Sequence, residues 1–124
     1  MQKKDLTHQI IKCAYKVHNT LGSGFLEKVY ENALAIELKK LNLEVKIQSP
    51  VSVYYDDEVV GEYFADIIIN NEIIIELKAV SEISKIHEVQ LVNYLQATKI
   101  DIGLLINFGE SVQIKRKYRV YQNN

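Results

Sequence analysis

The segment Ile73-Ile74-Ile75-Glu76-Leu77-Lys78 combines a strongly apolar β-type pattern with two charges, and Asp66 stands ten residues before Glu76. Ile73, Ile74, Ile75 and Leu77 read as an interior strand. Leaving a carboxylate or an ammonium unpaired beside them would cost roughly several kcal/mol. The chain must therefore fold so that these charges meet one another or a shared counterion. A divalent metal held by the two carboxylates is the leading candidate. A buried salt-bridge network without metal is the alternative.

The surrounding pattern predicts an order α-α-β-β-β-α-β-β. Leu6, Ile10, Cys13, Ala14, Val17 and Leu21 recur at helical spacing, giving a first helix over 5–20. Gly22-Ser23-Gly24 breaks it, and a second helix is expected from Phe25 to Leu41, with Leu26, Val29, Tyr30, Ala33 and Leu34 among its buried residues. Strands follow at Val51–Tyr55, Val59–Ile69 and Glu72–Val80, punctuated by Asp56-Asp57 and Asn70-Asn71. A helix over Ile83–Ala97 comes next, capped by Ser81 or Ser84. Two last strands, Ile102–Asn107 and Val112–Tyr121, flank the turn Phe108-Gly109-Glu110. The expected fold is α/β: an antiparallel meander, a crossover helix and a return strand, forming a mixed β-sheet flanked by helices.

Register turns the charge pattern into a geometric demand. Asp66 and Glu76 share a face only if they lie opposite each other or are offset by an even number of residues. A two-residue turn at Asn70-Asn71 would pair Asp66 with Ile75 and send the acids to opposite faces. A three-residue turn, Asn70-Asn71-Glu72, pairs Asp66 with Glu76, so this longer turn or a β-bulge is predicted.

Composition narrows the class. A chain of 124 residues is expected to form one domain, 1–124, with a real core. Its 48% apolar and 25% charged residues are those of an ordinary globular protein. No apolar run approaches the roughly 18 residues needed to span a bilayer. The N-terminus lacks the apolar stretch of a signal peptide. Cys13 is alone, which excludes an internal disulfide and a Cys-based zinc site, and a cytoplasmic location is the expectation. The net charge of −1 argues weakly against nucleic-acid binding. Lys115, Arg116, Lys117 and Arg119 crowd the C-terminal segment as either a basic patch or a solvated edge strand.

The chemistry that suits the Asp and Glu-x-Lys pattern is phosphodiester hydrolysis, which needs charge neutralisation on the phosphate and a deprotonated water. Mg²⁺ prefers one or two carboxylates plus waters, so Asp66 and Glu76 suffice to hold it, with the Leu77 backbone carbonyl as a further ligand. Lys78 shares a strand face with Glu76, where it would orient or deprotonate the water or stabilise developing charge.

Asp66 with Glu76-Leu77-Lys78, after a helix bearing Glu27, resembles the PD-(D/E)XK nuclease superfamily. Gly24-Phe25-Leu26-Glu27-Lys28-Val29-Tyr30 is similar to the signature of its GxxExxY branch. His87, Gln90 and Tyr94 match that branch's His-x-x-Gln and following Tyr, and Asn107-Phe108-Gly109 its Asn-Phe-Gly. The resemblance spans residues 5–119. It implies a divalent-metal nuclease using Mg²⁺ or Mn²⁺, with Asp66, Glu76 and Lys78 at the metal centre. Glu27 is implied as an additional, water-mediated ligand. Gln90 and Tyr94 are implied to line the site and contact substrate.

Blander roles stand beside these. Glu27 in a first helical turn is also favoured by the helix dipole. Glu31 reads as a solvated acid or part of an i,i+4 network. Tyr30 reads as core, its hydroxyl turned toward the site, and Gly24 as a turn residue. His87, Gln90 and Tyr94 share one helix face, with Ile83 and Ile86 expected against the sheet. His87 alone also reads as a satisfied core histidine and ranks below Gln90 as a site residue, and His8 and His18 read as structural or solvated. The function that follows is a metal-dependent nuclease acting on nucleic acid, DNA ahead of RNA, in a chain small enough to benefit from homodimerisation. The alternative is a binding or regulatory module that keeps the fold without turnover.

Overall fold

The computed structural model describes residues 2–120. The elements are α1 (Lys3–Leu21), α2 (Glu27–Lys39), β1 (Val45–Tyr55), β2 (Glu58–Ile69), β3 (Ile73–Lys78), α3 (Lys85–Thr98), β4 (Ile102–Phe108) and β5 (Val112–Tyr118), in the expected order. The strands form one five-stranded sheet, β1-β2-β3-β4-β5. β3 and β4 run parallel, joined by α3 as the crossover, and the other neighbours are antiparallel. Tyr121, expected in the last strand, lies outside the described residues.

Both faces of the sheet are covered, which is why β3 is apolar almost without interruption. α1 and α2 pack on Ile67, Ile69, Ile73, Ile75, Leu77, Leu104 and Ile106. Leu91, Tyr94 and Leu95 of α3 pack on Val51, Ala65, Ile68, Ile74 and Leu105 on the other face.

Three local expectations change, and one of two alternatives is chosen. β1 begins at Val45, not Val51, because Val45, Ile47 and Ser49 are half-buried in alternation with exposed Lys46, Gln48 and Pro50. As an edge strand β1 tolerates the proline, whose missing N–H interrupts no inner ladder. Leu26 and Val29 are exposed, since α2 turns Tyr30, Leu34, Ala35 and Leu38 inward instead. Ile86 is also exposed, because the sheet-facing stripe of α3 is Leu91, Tyr94 and Leu95. The basic C-terminal segment is an edge strand in which Lys117 pairs with Glu88 at 3.1 Å.

The β1–β2 hairpin kinks where the site forms. Ile67 and Ile69 belong to the α1/α2 core, yet Ala65, two residues earlier, belongs to the α3 core. Strand alternation therefore breaks at Asp66. Opposite it, Gln48 has φ +51°, a left-handed conformation rare for a residue with a side chain. The pairing Ile47–Ile67 on one side and Ser49–Ala65 on the other keeps a single register. Both strands thus change faces together, and the outer arm of the hairpin leans toward α3.

Candidate active site

The turn Asn70-Asn71-Glu72 joins Ile69 to Ile73, and β2 and β3 pair as Ile69–Ile73, Ile68–Ile74 and Ile67–Ile75. Asp66 therefore faces Glu76, the register the charge pattern demanded. The backbone ladder stops one step short of them. In its place the Asp66 N–H donates to Glu76 Oε2 at 2.7 Å, and the Leu77 N–H donates to Asp66 Oδ2 at 2.8 Å. Each carboxylate is held by the backbone of the opposing strand. Leu77 brings its amide to Asp66 while its side chain is buried in the core.

Glu76 is only 6% exposed. Burial, reinforced by the neighbouring Asp66 charge, pushes its carboxyl up to about 8. Burial also raises Asp66, against the stabilising Leu77 amide, with the Glu31 charge adding to the rise. Glu27, in the first turn of α2, is raised by burial and pulled back by Lys78. Lys78 thus acts on all three carboxylates as their common cation. It is half-buried at the end of β3, across from Asn107 on β4.

The Asn-Phe-Gly segment secures that end. Asn107 is fully buried, and its side chain accepts from the Val80 N–H at 2.9 Å and donates to the Val80 carbonyl at 2.8 Å. This fixes the chain just beyond Lys78. A side chain on Gly109 would put its Cβ 2.8 Å from the Val80 carbonyl oxygen, so glycine is required there. His18 is structural, bonded to the Gly109 carbonyl at 2.9 Å.

The segment from Gly24 to Tyr30 places Glu27. Gly24 has φ +102°, which calls for glycine. Tyr30 is fully buried and stacks on Phe108 at 4.6 Å. Its hydroxyl was expected to point toward the site. Instead it donates to the Gly22 carbonyl at 2.6 Å and accepts from the Phe25 N–H at 3.3 Å. The ring anchors α2 in the core while the hydroxyl pins the loop that leads into Glu27. Among the described residues no group of three or more His, Cys, Asp or Glu side chains is gathered closely enough to enclose a metal, and Glu27 is linked to Asp66 and Glu76 through its charge.

Glu31 departs furthest from expectation. It is 3% exposed, not solvated. Its Oε2 pairs with Lys28 at 2.5 Å and its Oε1 accepts from Gln48 at 2.7 Å. The same Gln48 amide donates to Asp66 Oδ1 at 3.3 Å. Sequence reasoning missed Gln48 entirely and misread Glu31. The available signal was the alternation from Val45 to Pro50, which extends β1 back across Asp66.

On α3, His87, Gln90 and Tyr94 share a face as expected. Ser84 is the N-cap residue, and its N–H donates to His87 Nδ1 at 3.3 Å, so His87 serves as a cap of its own helix. Gln90 donates to the Tyr94 hydroxyl at 3.0 Å. Burial and then the Glu76 and Asp66 charges raise the Tyr94 hydroxyl, which places it in the field of the carboxylate pair. Burial and Lys78 lower His87.

The donor set fits a divalent ion. Two carboxylates held rigidly side by side, both raised by burial and by a neighbouring carboxylate charge, are what a hard cation would relieve. Mg²⁺ and Mn²⁺ accept such a pair with waters filling the remaining positions.

No curated protein sequence matches the chain. Among solved structures it is similar to the crystal structure of SSO0001, with a TM-score of 0.59 and 21% identity over 77% of this chain and 52% of that one. The chain spans about half the length of that protein, and the likeness is one of fold. Among the described residues no helix is long and apolar enough to cross a membrane. The sequence model of the PD-(D/E)XK nuclease superfamily matches residues 4–119. With that match over nearly its whole length, and with this fold, the chain belongs to the PD-(D/E)XK nuclease superfamily.

Proposed function

We propose that this protein is a divalent-metal-dependent nuclease that hydrolyses phosphodiester bonds in nucleic acid, with DNA as its substrate and Mg²⁺ or Mn²⁺ as its ion. The observation that carries this reading is the Asp66–Glu76 pair, Glu76 buried and Asp66 half-buried, fixed by backbone N–H groups where β2 and β3 part, with Lys78 acting on both. When bound, the ion supplies charge neutralisation at the phosphate and a water acidic enough to lose a proton near neutral pH. Asp66 and Glu76 hold it, with the Leu77 carbonyl as a third ligand and Glu27 reaching it through a water. Lys78 orients the attacking water and steadies the charge that develops on the phosphate. Gln90, Tyr94 and His87 position the substrate.

Within the superfamily, the Gly24-to-Tyr30, His87-to-Tyr94 and Asn107-Phe108-Gly109 segments support membership of the GxxExxY branch. The unpaired Cys13 fits a cytoplasmic protein, and a homodimer would double the surface that grips nucleic acid. The test is cleavage of DNA with Mg²⁺ or Mn²⁺ and with a chelator. Asp66→Ala and Lys78→Ala are each expected to lower the rate on the order of a hundredfold or more. Metal-independent cleavage, or either variant as active as wild type, overturns the assignment.

A further inference from the structure

A groove of about 940 Å³ lies between α3 and the outer arm of the β1–β2 hairpin. Tyr54 and Tyr63 line its hairpin wall, and Gln90, Asn93, Tyr94 and Lys99 line its helix wall. The kink at Gln48 and Asp66 creates it, by swinging the arm toward α3. Tyr54 and Tyr63 are 64% and 48% exposed, so their rings are open to a ligand. The walls meet where Tyr63 packs on Tyr94 with ring centroids 5.7 Å apart. Neither Asp66 nor Glu76 lines the groove, but their charges act on Tyr94 at this junction, so its inner end lies beside the carboxylate pair.

We infer that this groove binds the unpaired bases of a single nucleic-acid strand and feeds its backbone to Asp66 and Glu76. The inference rests on the nuclease reading and narrows its substrate class. Exposed aromatic rings stack on unpaired bases of any sequence, and amides such as those of Gln90 and Asn93 can donate to and accept from base edges. A duplex hides its base faces and presents phosphates, for which this lining offers one lysine, Lys99. No carboxylate lines the groove, and the acids Asp56, Asp57 and Glu58 at the hairpin tip lie outside the lining. A strand following it is therefore not repelled, although the chain as a whole carries net charge −1.

The experiment is fluorescence anisotropy with a labelled 20-nucleotide oligo(dT), an oligo(U) of the same length and a DNA hairpin duplex. It is run without cleavage, in chelator at low salt, on wild type, Tyr54→Ala, Tyr54→Phe and Tyr55→Ala. Tyr55 is an exposed tyrosine of the same hairpin that does not line the groove. Oligo(dT) is expected to bind on the order of tenfold more tightly than the duplex. Tyr54→Ala should lose on the order of tenfold, while Tyr54→Phe and Tyr55→Ala stay near wild type. The oligo(U) arm separates ribose from deoxyribose strands, and binding of either alone supports the groove. Absence of single-strand binding, duplex binding as tight as oligo(dT), or equal losses in Tyr54→Ala and Tyr55→Ala would overturn the inference. So would a Tyr54→Ala variant that keeps its oligonucleotide affinity but converts a dimer to a monomer in sedimentation, because a second copy then fills the groove. Binding is read apart from cleavage. Single-strand binding without metal-dependent cleavage sinks only the nuclease reading, and duplex cleavage without single-strand preference sinks only the groove.

Discussion

The two ends of the β2–β3 pair differ in how they satisfy the backbone. At the closed end, Ile67 to Ile69 and Ile73 to Ile75 form a regular ladder with side chains buried on both faces. At the open end, one step further, the carboxylates of Asp66 and Glu76 accept from the N–H groups of the opposing strand. The closed end exchanges neutral hydrogen bonds and apolar contacts, which stabilise. The open end sets two carboxyl groups side by side, Glu76 buried and Asp66 half-buried, where ionising both destabilises unless a cation arrives. A single residue step therefore separates the packed ladder from the carboxylate pair.

Substitutions at the two ends should accordingly fail in different ways. The largest stability loss is expected at the closed end. Ile67→Ala should cost about 2–5 kcal/mol in chemical denaturation while leaving divalent affinity within a few-fold of wild type. Asp66→Asn should do the reverse, with little stability change and loss of the ion. If Ile67→Ala abolished ion binding in the folded protein, the two ends would not be separable.

An effect of intermediate size concerns pH. Folding holds the Glu76 carboxyl at about 8, above its ordinary 4.5, so the folded chain keeps a proton that the unfolded chain gives up. The stability this contributes is fully present below about pH 4.5 and is lost as pH rises toward 8, and Asp66 acts in the same direction. Thermal melts of metal-free protein should therefore decline over that window, and Mg²⁺ or Mn²⁺ should restore stability at its upper end. Glu76→Gln keeps an acceptor for the Asp66 N–H and should be more stable than wild type at pH 8 without metal, by about 1–3 kcal/mol. A variant less stable than wild type there would mean that the charge is already compensated.

The smallest effect isolates the kink. Gln48→Gly should exceed Gln48→Ala in urea denaturation by about 1 kcal/mol, because both lose the side-chain bonds and only alanine keeps the left-handed strain. Equal stabilities would remove strain at Gln48 from the account.

Much of this was legible in the sequence because the signals were local. Alternation, the Asn70-Asn71-Glu72 turn and the position of Glu76 within an apolar run determine the β2–β3 register without any distant contact. What escaped depends on elements far apart in the chain. Glu31 lies one turn from Glu27 on a helix whose pattern looks solvated there, and its buried carboxylate is met by Lys28 and by Gln48, seventeen residues later. Gln48 in turn was hidden by Pro50, which reads as a strand breaker until β1 is known to be an edge. His87 was expected to share a helix face with Gln90 and Tyr94, and it does, but its ring also caps α3, a role usually filled by Glu or Gln. The groove beside α3 was not legible, because it depends on a face change within β1 and β2 that no period-2 pattern records.

The central claim is that the Asp66–Glu76 pair exists to hold a divalent ion. It is tested most directly by calorimetric titration of Mn²⁺ into the folded protein at pH 7, in two buffers of different protonation enthalpy. The account predicts binding of one ion per chain with release of about one proton, the one held on Glu76, and loss of that binding in Asp66→Asn. No binding, or binding that releases no proton and survives Asp66→Asn, would contradict it.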